Sequence, residues 1–293
     1  MRGRPTGALQ ALQRIKHGAF VSYKASRYPV SLRLEPIHRW LYSLRSYTYD
    51  PRDFESLGLG PREDGLVSRS ETVPRRIYCF WTGDNPLTPN RQRSLDSLRR
   101  LHDPDGIEVV LVTPKNLEGH LVAGHPLHED YERLHVVHRA DYLRAYFLHF
   151  HGGGYVDIKE PAASWAPAFG RMDRSDAWLM GDHKPSRYLS PDFPEEDLER
   201  LMRRTSPAHI FQCAFIARPL TPLTSEWWAR VNDVVDSVAE DLLAHPGVGR
   251  RGGDGYPLRW TQLLGQIIDP LTVKYSDKVL HDGSLRLSQR DYF

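Results

Sequence analysis

The stretch that decides the fold is His138-Arg-Ala-Asp-Tyr-Leu-Arg144, followed by His151-Gly-Gly-Gly-Tyr-Val-Asp157-Ile-Lys159. From the end of its first segment to the residue before its second, apolar residues recur at i, i+3, i+4 and i+7, a spacing that places them on one stripe of a helix facing a core. The stripe consists of Leu143, Tyr146, Phe147 and Phe150. Asp141 and Arg144 fall on the opposite side of that helix, where residues three apart are neighbours. Since neither lies on the stripe, we expect alanine at either position to leave the fold intact.

Three glycines and a carboxylate follow this helix. Gly152, Gly153 and Gly154 end it, because glycine takes the left-handed dihedrals of a tight turn without steric cost. The next residues, 155–158, predict a short buried strand. A carboxylate at a strand end is costly to bury unless it meets a cation or a hydrogen-bonding ligand, and ligands of open α/β sheets lie outside the carboxyl ends of strands. The helix pair, the glycine turn and the strand-end carboxylate together predict a site for a phosphorylated ligand at Asp157. Taken separately, the helix pair could be a surface ion pair and the glycines a plain turn.

Outside this stretch the chain alternates strands and helices. It has 293 residues and a hydrophobic content of 40%, enough to bury a full core. We place a boundary in the Gly-, Pro- and charge-rich segment 50–70. A strand at 76–81, a helix at 90–102 and a strand at 107–113 then form a βαβ unit, which implies parallel pairing. Further strands are predicted at 177–180 and 210–217, and further helices at 195–204 and 224–243. The order predicts an α/β fold.

Positive charge is concentrated in residues 1–49. That segment holds nine Lys/Arg against one acid, Glu35, a net charge of +8. It also contains apolar runs such as Ile37-His-Arg-Trp-Leu-Tyr-Ser-Leu44. Three uses fit this composition: an amphipathic helix on an anionic membrane, a helical collar packed on the main domain, or contact with nucleic acid. We favour the first two and do not expect a nucleic-acid partner.

Two cysteines and the hydropathy profile restrict the class of protein. Cys79 and Cys213 lie in apolar strand-like runs, so neither a disulfide framework nor a cysteine metal site is indicated. No run approaches the 18 or so apolar residues of a spanning helix, and no signal peptide is recognised. We expect a cytoplasmic protein, peripheral to a membrane if residues 1–49 bind lipid.

Two motifs resemble a known family. Ala140-Asp-Tyr-Leu-Arg144 with Gly153-Gly-Tyr-Val-Asp157-Ile-Lys159 is similar to the (S/A)-D-x-x-R helix, Gly-Gly turn and D-x-D strand end of the DxD-type glycosyltransferases. These include large glucosylating toxins, fungal initiating mannosyltransferases and bacterial capsular polysaccharide synthesis proteins. Val73-Pro-Arg-Arg-Ile-Tyr-Cys-Phe-Trp81-Thr-Gly83 resembles their opening strand. The resemblance covers roughly residues 74 to 285, and the Asp-Ile-Lys ending looks closest to the capsular type.

The resemblance implies a GT-A (Rossmann-like) three-layer sandwich at 71–293, with a basic, helical extension at 1–70. It implies transfer of a sugar from a nucleoside-diphosphate donor to a hydroxyl of a glycan, including a lipid-linked one, with retained anomeric configuration. The donor site would comprise Trp81 against the base, with core packing as its alternative role, Thr82, Gly83, Asp141, Arg144, Gly153, Gly154 and Tyr155. Asp157 and Lys159 would act at the diphosphate.

Lys159 stands where the family has its second Asp. A D-x-D motif holds Mn²⁺ or Mg²⁺, which bridges the donor phosphates and offsets the charge of the leaving group. Two versions follow from the change. Either Asp157 binds the metal together with a C-terminal ligand such as His281, which we favour, or Lys159 partly replaces the ion near the phosphates; Lys159 pointing into solvent is a third possibility.

Other residues carry weaker predictions. Asp254 and Trp260 lie where the family completes the diphosphate surroundings, and a predicted loop offers His183, Lys184 and Arg187 to phosphate or acceptor. Two functions of other classes remain open: a catalytically inactive sugar-nucleotide-binding protein fits the broken D-x-D, and a nucleic-acid-binding protein fits residues 1–49.

Overall fold

The computed structural model describes residues 30, 32–63, 72–249 and 252–287. Its centre is a six-stranded mixed sheet. The strands are β1 (Arg76–Phe80), β2 (Glu108–Val112), β3 (Gly153–Val156), β4 (Leu179–His183), β5 (Ile210–Ala217) and β6 (Val279–His281). They lie in the order β2-β1-β3-β5-β4-β6. β1 is parallel to β2 and β3, and β4 is parallel to β6, whereas β5 runs antiparallel to β3 and β4.

Helices cover both faces of this sheet. They are α1 (32–44), α2 (Pro89–His102), α3 (Val136–Phe150), α4 (Ala166–Asp173), α5 (Glu196–Arg204), α6 (Pro222–Ser237), α7 (Ala239–Ala244) and α8 (Gly265–Lys274). Successive side chains of a strand point to opposite faces. In β1, accordingly, Ile77 joins the core formed with α2 and α4, and Tyr78 joins the core formed with α3, α6 and α8. The α/β prediction is confirmed, with a helical layer on each side of the sheet.

The glycine turn leads directly into the sheet. α3 ends at Phe150, and Gly152 and Gly153 then adopt φ of 64° and 89°. Gly154 already belongs to β3, where a Cβ would lie 3.0 Å from the Trp165 ring. The strand stops at Val156, so the Asp157 carboxylate lies just past a buried strand end, as predicted.

Two segments differ from the prediction. The helix expected at 224–243 is two helices, because Val238 between them takes non-helical dihedrals (φ −121°, ψ 12°). Residues 47–59, assigned by the sequence to the extension, contribute Phe54 and Leu59 to the core that contains α3. Arg230 of α6 fixes this segment by donating to the backbone carbonyls of residues 57 and 58.

No helix among the described residues is long and apolar enough to cross a bilayer.

Candidate functional site

A pocket of about 580 Å³ opens where β1 and β3 end, against the first half of α3. Asp141 and Arg144 line it from α3, and Tyr155 and Asp157 line it from the end of β3. The remaining wall is largely apolar and aromatic. It includes Phe80, Trp81, Val136, Val137, Ala140, Ile158, Leu189, Pro191, Trp260 and Leu264. The helix pair and the strand-end carboxylate predicted from the sequence are therefore brought together in a single cavity.

Arg144 bridges the two carboxylates. Its Nη1 lies 3.0 Å from Oδ1 of Asp141, and its Nη2 lies 3.3 Å from Oδ1 of Asp157. Nη2 also donates to the Tyr155 hydroxyl at 2.6 Å, and that hydroxyl donates to Asp157 Oδ1 at 2.8 Å. All of these groups are buried or nearly so, with Asp141 only 2% exposed. Asp141 and Arg144 therefore belong to a buried network, which excludes the alternative of a solvated surface ion pair.

Lys159 completes the charge balance. Its ammonium lies 3.1 Å from Oδ2 of Asp157 and 3.4 Å from the Cys213 sulfur. The side chain is 6% exposed, which excludes the interpretation that it points into solvent. It does not line the pocket, so its charge reaches a ligand through Asp157. Two carboxylates and two cations give the cluster a formal charge of zero.

The two carboxylates differ in acidity. Burial raises the pKa of Asp141 to about 6, against the opposing effect of Arg144. Burial acts in the same direction on Asp157, but Arg144 and Lys159 outweigh it and hold the pKa of Asp157 below its usual value. Asp157 is therefore ionised near neutral pH, whereas Asp141 gains or loses its proton in the mildly acidic range.

Asp141→Asn tests this assignment. A carboxyl with a raised pKa binds more protons in the folded than in the unfolded state. Its stabilising contribution is therefore full below the ordinary value of 3.8 and is lost as the pH rises to about 6. Asparagine does not titrate, so the free energy of unfolding of Asp141→Asn should gain on that of the wild type across this window. Urea unfolding of both proteins at several pH values measures the difference; parallel curves would contradict it, and exposed Asp197→Asn is the control.

The Trp81-Thr82-Gly83 segment lies in the pocket wall as predicted. The indole N–H of Trp81 donates to the Asn85 carbonyl at 2.6 Å, which fixes the ring at the pocket. The Thr82 hydroxyl donates to the carbonyl of Val136 at 2.5 Å and so ties the end of β1 to the start of α3.

Gly153 and Gly154, predicted to contact the donor, do not line the pocket. A Cβ on Gly153 would lie 2.5 Å from the backbone oxygen of Arg76, and Gly154 packs against Trp165. Because they lack a Cβ, these glycines allow β3 to lie close to β1 and to Trp165. Protein atoms fill the space around them, so they do not border the cavity.

The structure does not bring His281 to Asp157. His281 lies in β6, three strand positions from β3, or roughly 14 Å at the usual interstrand spacing. Its ring stacks on His183 at 3.8 Å, and burial lowers the pKa of His281 to about 3. The pairing of Asp157 with His281 as metal ligands is therefore wrong. Both residues would have to lie about 2 Å from one ion.

A divalent ion does not fit the donor set around Asp157. The position between the two carboxylates is taken by the Arg144 guanidinium, and the second oxygen of Asp157 is taken by Lys159. No group of three or more potential metal-binding side chains occurs within the described part of the chain. The cations of the protein itself hold the place that an ion would need.

The predicted loop residues have other roles. Lys184 is fully buried and forms an ion pair with Asp269, so it is not available to a ligand. His183 belongs to β4, and Arg187 is exposed outside the pocket. Of the two weaker C-terminal candidates, Trp260 lines the pocket and is 59% exposed, whereas Asp254 does not line it.

Among the pocket residues that the sequence analysis missed, Gln212 and Arg91 have polar side chains with partners in the structure. Gln212 lines the cavity from β5, and its amide donates to Asp269 at 2.5 Å. A single polar residue in the apolar run 210–217 was the available signal. Arg91 lines the cavity from α2 and donates to the carbonyl of Ile158 at 2.7 Å. It adds one positive charge beside the neutral cluster.

No protein-family model matches this chain, and no curated protein sequence matches it.

Proposed function

We propose that this protein is a GT-A-type glycosyltransferase that moves a sugar from a nucleoside-diphosphate donor to a hydroxyl of a glycan. The observation that carries the proposal is the pair of carboxylates bridged by Arg144 in a cavity at the carboxyl ends of β1 and β3. Ligands of open α/β sheets bind at such ends. The resemblance of the two motifs to DxD-type transferases supports the same class, and the capsular type among them.

The walls of the pocket suit the parts of such a donor. Trp81 offers an aromatic face to a base, a contact that tolerates any base because each has a π-face. Asp141 and Arg144 offer an acceptor and donors to sugar hydroxyls. Because Lys159 neutralises Asp157, the diphosphate meets a neutral cluster with Arg91 beside it, not an uncompensated carboxylate. These features together favour an anionic ligand with an aromatic end and a polar end.

The chemistry assigned to the residues is electrostatic. Charge develops on the diphosphate as the bond to the sugar breaks, and positioned cations stabilise it. Arg144 and Arg91 are the pocket-lining cations placed for this task, and Asp157 with Tyr155 orients the Arg144 guanidinium. In a retaining reaction the leaving phosphate takes the acceptor proton, so no side chain is assigned as a general base.

Nucleotide-sugar binding tests the proposal. We expect one member of a panel of nucleoside-diphosphate sugars to raise the melting temperature and to be hydrolysed slowly, because a ligand of the native state stabilises it by mass action. Thr261→Trp places an indole in the pocket and should lower affinity by at least about tenfold. Ala163→Trp, on an exposed bend away from the pocket, is the matched control.

The same measurements distinguish the transferase from a protein that only binds nucleotide sugars. Binding without hydrolysis or transfer would favour a catalytically inactive sugar-nucleotide-binding protein, as the altered D-x-D motif suggests. No stabilisation by any member, or equal binding by Thr261→Trp, would contradict the proposal.

A further inference from the structure

Helix α1 packs on the protein by its polar side. Its inward residues recur at i, i+3, i+4 and i+7: they are Glu35, His38, Arg39 and Tyr42. Glu35 is 4% exposed, and its Oε1 lies 3.7 Å from Nδ1 of His38. Burial accordingly raises the pKa of Glu35 and lowers that of His38. A helix on a globular domain ordinarily buries its apolar stripe, and α1 does the reverse.

The apolar stripe of α1 faces outward. Its residues are spaced alternately four and three positions apart, and each is more than half exposed: Val30, just before α1, and Leu34, Ile37, Leu41 and Leu44 within it. At 100° per residue the centre of this stripe lies roughly 130° from the centre of the buried polar face. Trp40, 60% exposed, extends the same outer surface. A contiguous apolar surface of this kind marks an interaction site.

The charges around the stripe indicate what covers it. Arg33 and Arg45 are exposed on the helix and just after it, and Arg187 is exposed across a groove of about 390 Å³ beside the stripe. Glu35, the one acid among residues 1–49, is buried on the inner face. A contact between α1 and α1 of a second copy would bring like charges together with no exposed acid on either helix to pair them, which disfavours that mode of self-association. A surface with an apolar interior and anionic groups at its boundary complements both the apolar stripe and the exposed arginines.

We propose that α1 docks the protein on the surface of an anionic lipid bilayer. The stripe enters the boundary between headgroups and acyl chains, Trp40 lies at headgroup level, and the arginines meet lipid phosphates. This inference does not depend on the proposed transferase activity.

The docking surface adjoins the pocket. Arg187 and Tyr188 line the groove beside α1, and Leu189 and Pro191, next along the chain, line the pocket. A docked α1 therefore holds the pocket close to the bilayer, where a lipid-linked glycan presents its hydroxyls. This consequence for the acceptor does rest on the proposed function.

Co-sedimentation of the full chain with vesicles tests the docking. Binding to vesicles of phosphatidylcholine mixed with phosphatidylglycerol should exceed binding to phosphatidylcholine alone by at least about tenfold. Each arginine near an anionic membrane surface strengthens binding by about fivefold. The double variant Ile37→Glu/Leu44→Glu should lose at least about tenfold of that binding, because it places charge in the stripe. Leu243→Glu/Val248→Glu is the matched control: it changes the net charge equally at sites of similar exposure and should retain binding.

Four results would overturn the proposal. These are no preference for anionic vesicles, equal loss in both double variants, loss on Arg33→Glu but not on Ile37→Glu/Leu44→Glu, and a lipid-free oligomer that Ile37→Glu/Leu44→Glu dissociates. The last would identify a second copy as the occupant. Thermal unfolding confirms that each variant is folded, and nucleotide-sugar binding, measured without vesicles, reports on the proposed function independently.

Discussion

Arg144→Ala should lower the free energy of unfolding by about 3–5 kcal/mol, because it leaves two buried carboxylates without their shared cation. Asp141 and Asp157 would then face each other across the vacated position, each still largely buried. The same change should lower nucleotide-sugar affinity by at least about 100-fold, since the bridge lines the pocket. Urea unfolding and calorimetry on the folded protein at low temperature measure the two effects separately.

The chain offers a matched control for this variant. Arg200 and Asp197 have the same i, i+3 spacing, but their side chains are 71% and 94% exposed. Arg200→Ala should cost less than about 1 kcal/mol, as expected of a solvated pair. Equal losses for Arg144→Ala and Arg200→Ala would refute the buried bridge, and unchanged donor affinity in Arg144→Ala would remove it from the proposed donor site.

Turnover of the nucleotide sugar should persist in excess chelator, with a change of less than about twofold. Arg144 and Lys159 already occupy both oxygens of Asp157, so an added ion would have to displace one of them. Lys159→Met, in contrast, should lower turnover by at least about 100-fold, because it leaves a net negative cluster against the diphosphate.

Lys274→Met separates this electrostatic effect from a loss of stability. Lys274 is 3% exposed and pairs with Glu226 at 2.8 Å, but it does not line the pocket. Both variants should lose stability, and only Lys159→Met should lose turnover. Turnover that stops in chelator and returns with Mn²⁺ would contradict metal-independent turnover and would indicate that Asp157 binds a metal ion.

The local patterns of the sequence predicted many of the elements, although not α4, α8 or β6. The βαβ unit forms where periodicity and length indicated it, from β1 through α2 to β2. Such signals succeed because the period of a strand or helix is a property of neighbouring residues. The prediction of a single helix at 224–243 was wrong because such signals report only the spacing of apolar residues. The break at Val238 depends on its backbone dihedrals, which the spacing does not reveal.

The helical wheel placed Asp141 and Arg144 correctly on one side of α3 but could not show what covers that side. It therefore predicted that alanine at Arg144 would be tolerated. In the folded protein, the end of β3 and Lys159 close over the pair, so an apparently solvated ion pair becomes a buried network. Burial arises from segments distant in the chain, and the cost of removing a charge depends on burial more than on spacing.

The sequence by itself determined the α/β class, from the order of strands and helices, and the strand-end position of Asp157 close to the pair Asp141 and Arg144, which is encoded within about two dozen residues. Only the tertiary structure decided which partners Asp157 has. It separated His281 by three strand positions, turned Lys159 inward, added Gln212 and Arg91 to the pocket and turned the apolar stripe of α1 outward. The physical reason is that strand order and helix docking are set by packing over the whole core, which fixes distances that local periodicity leaves free.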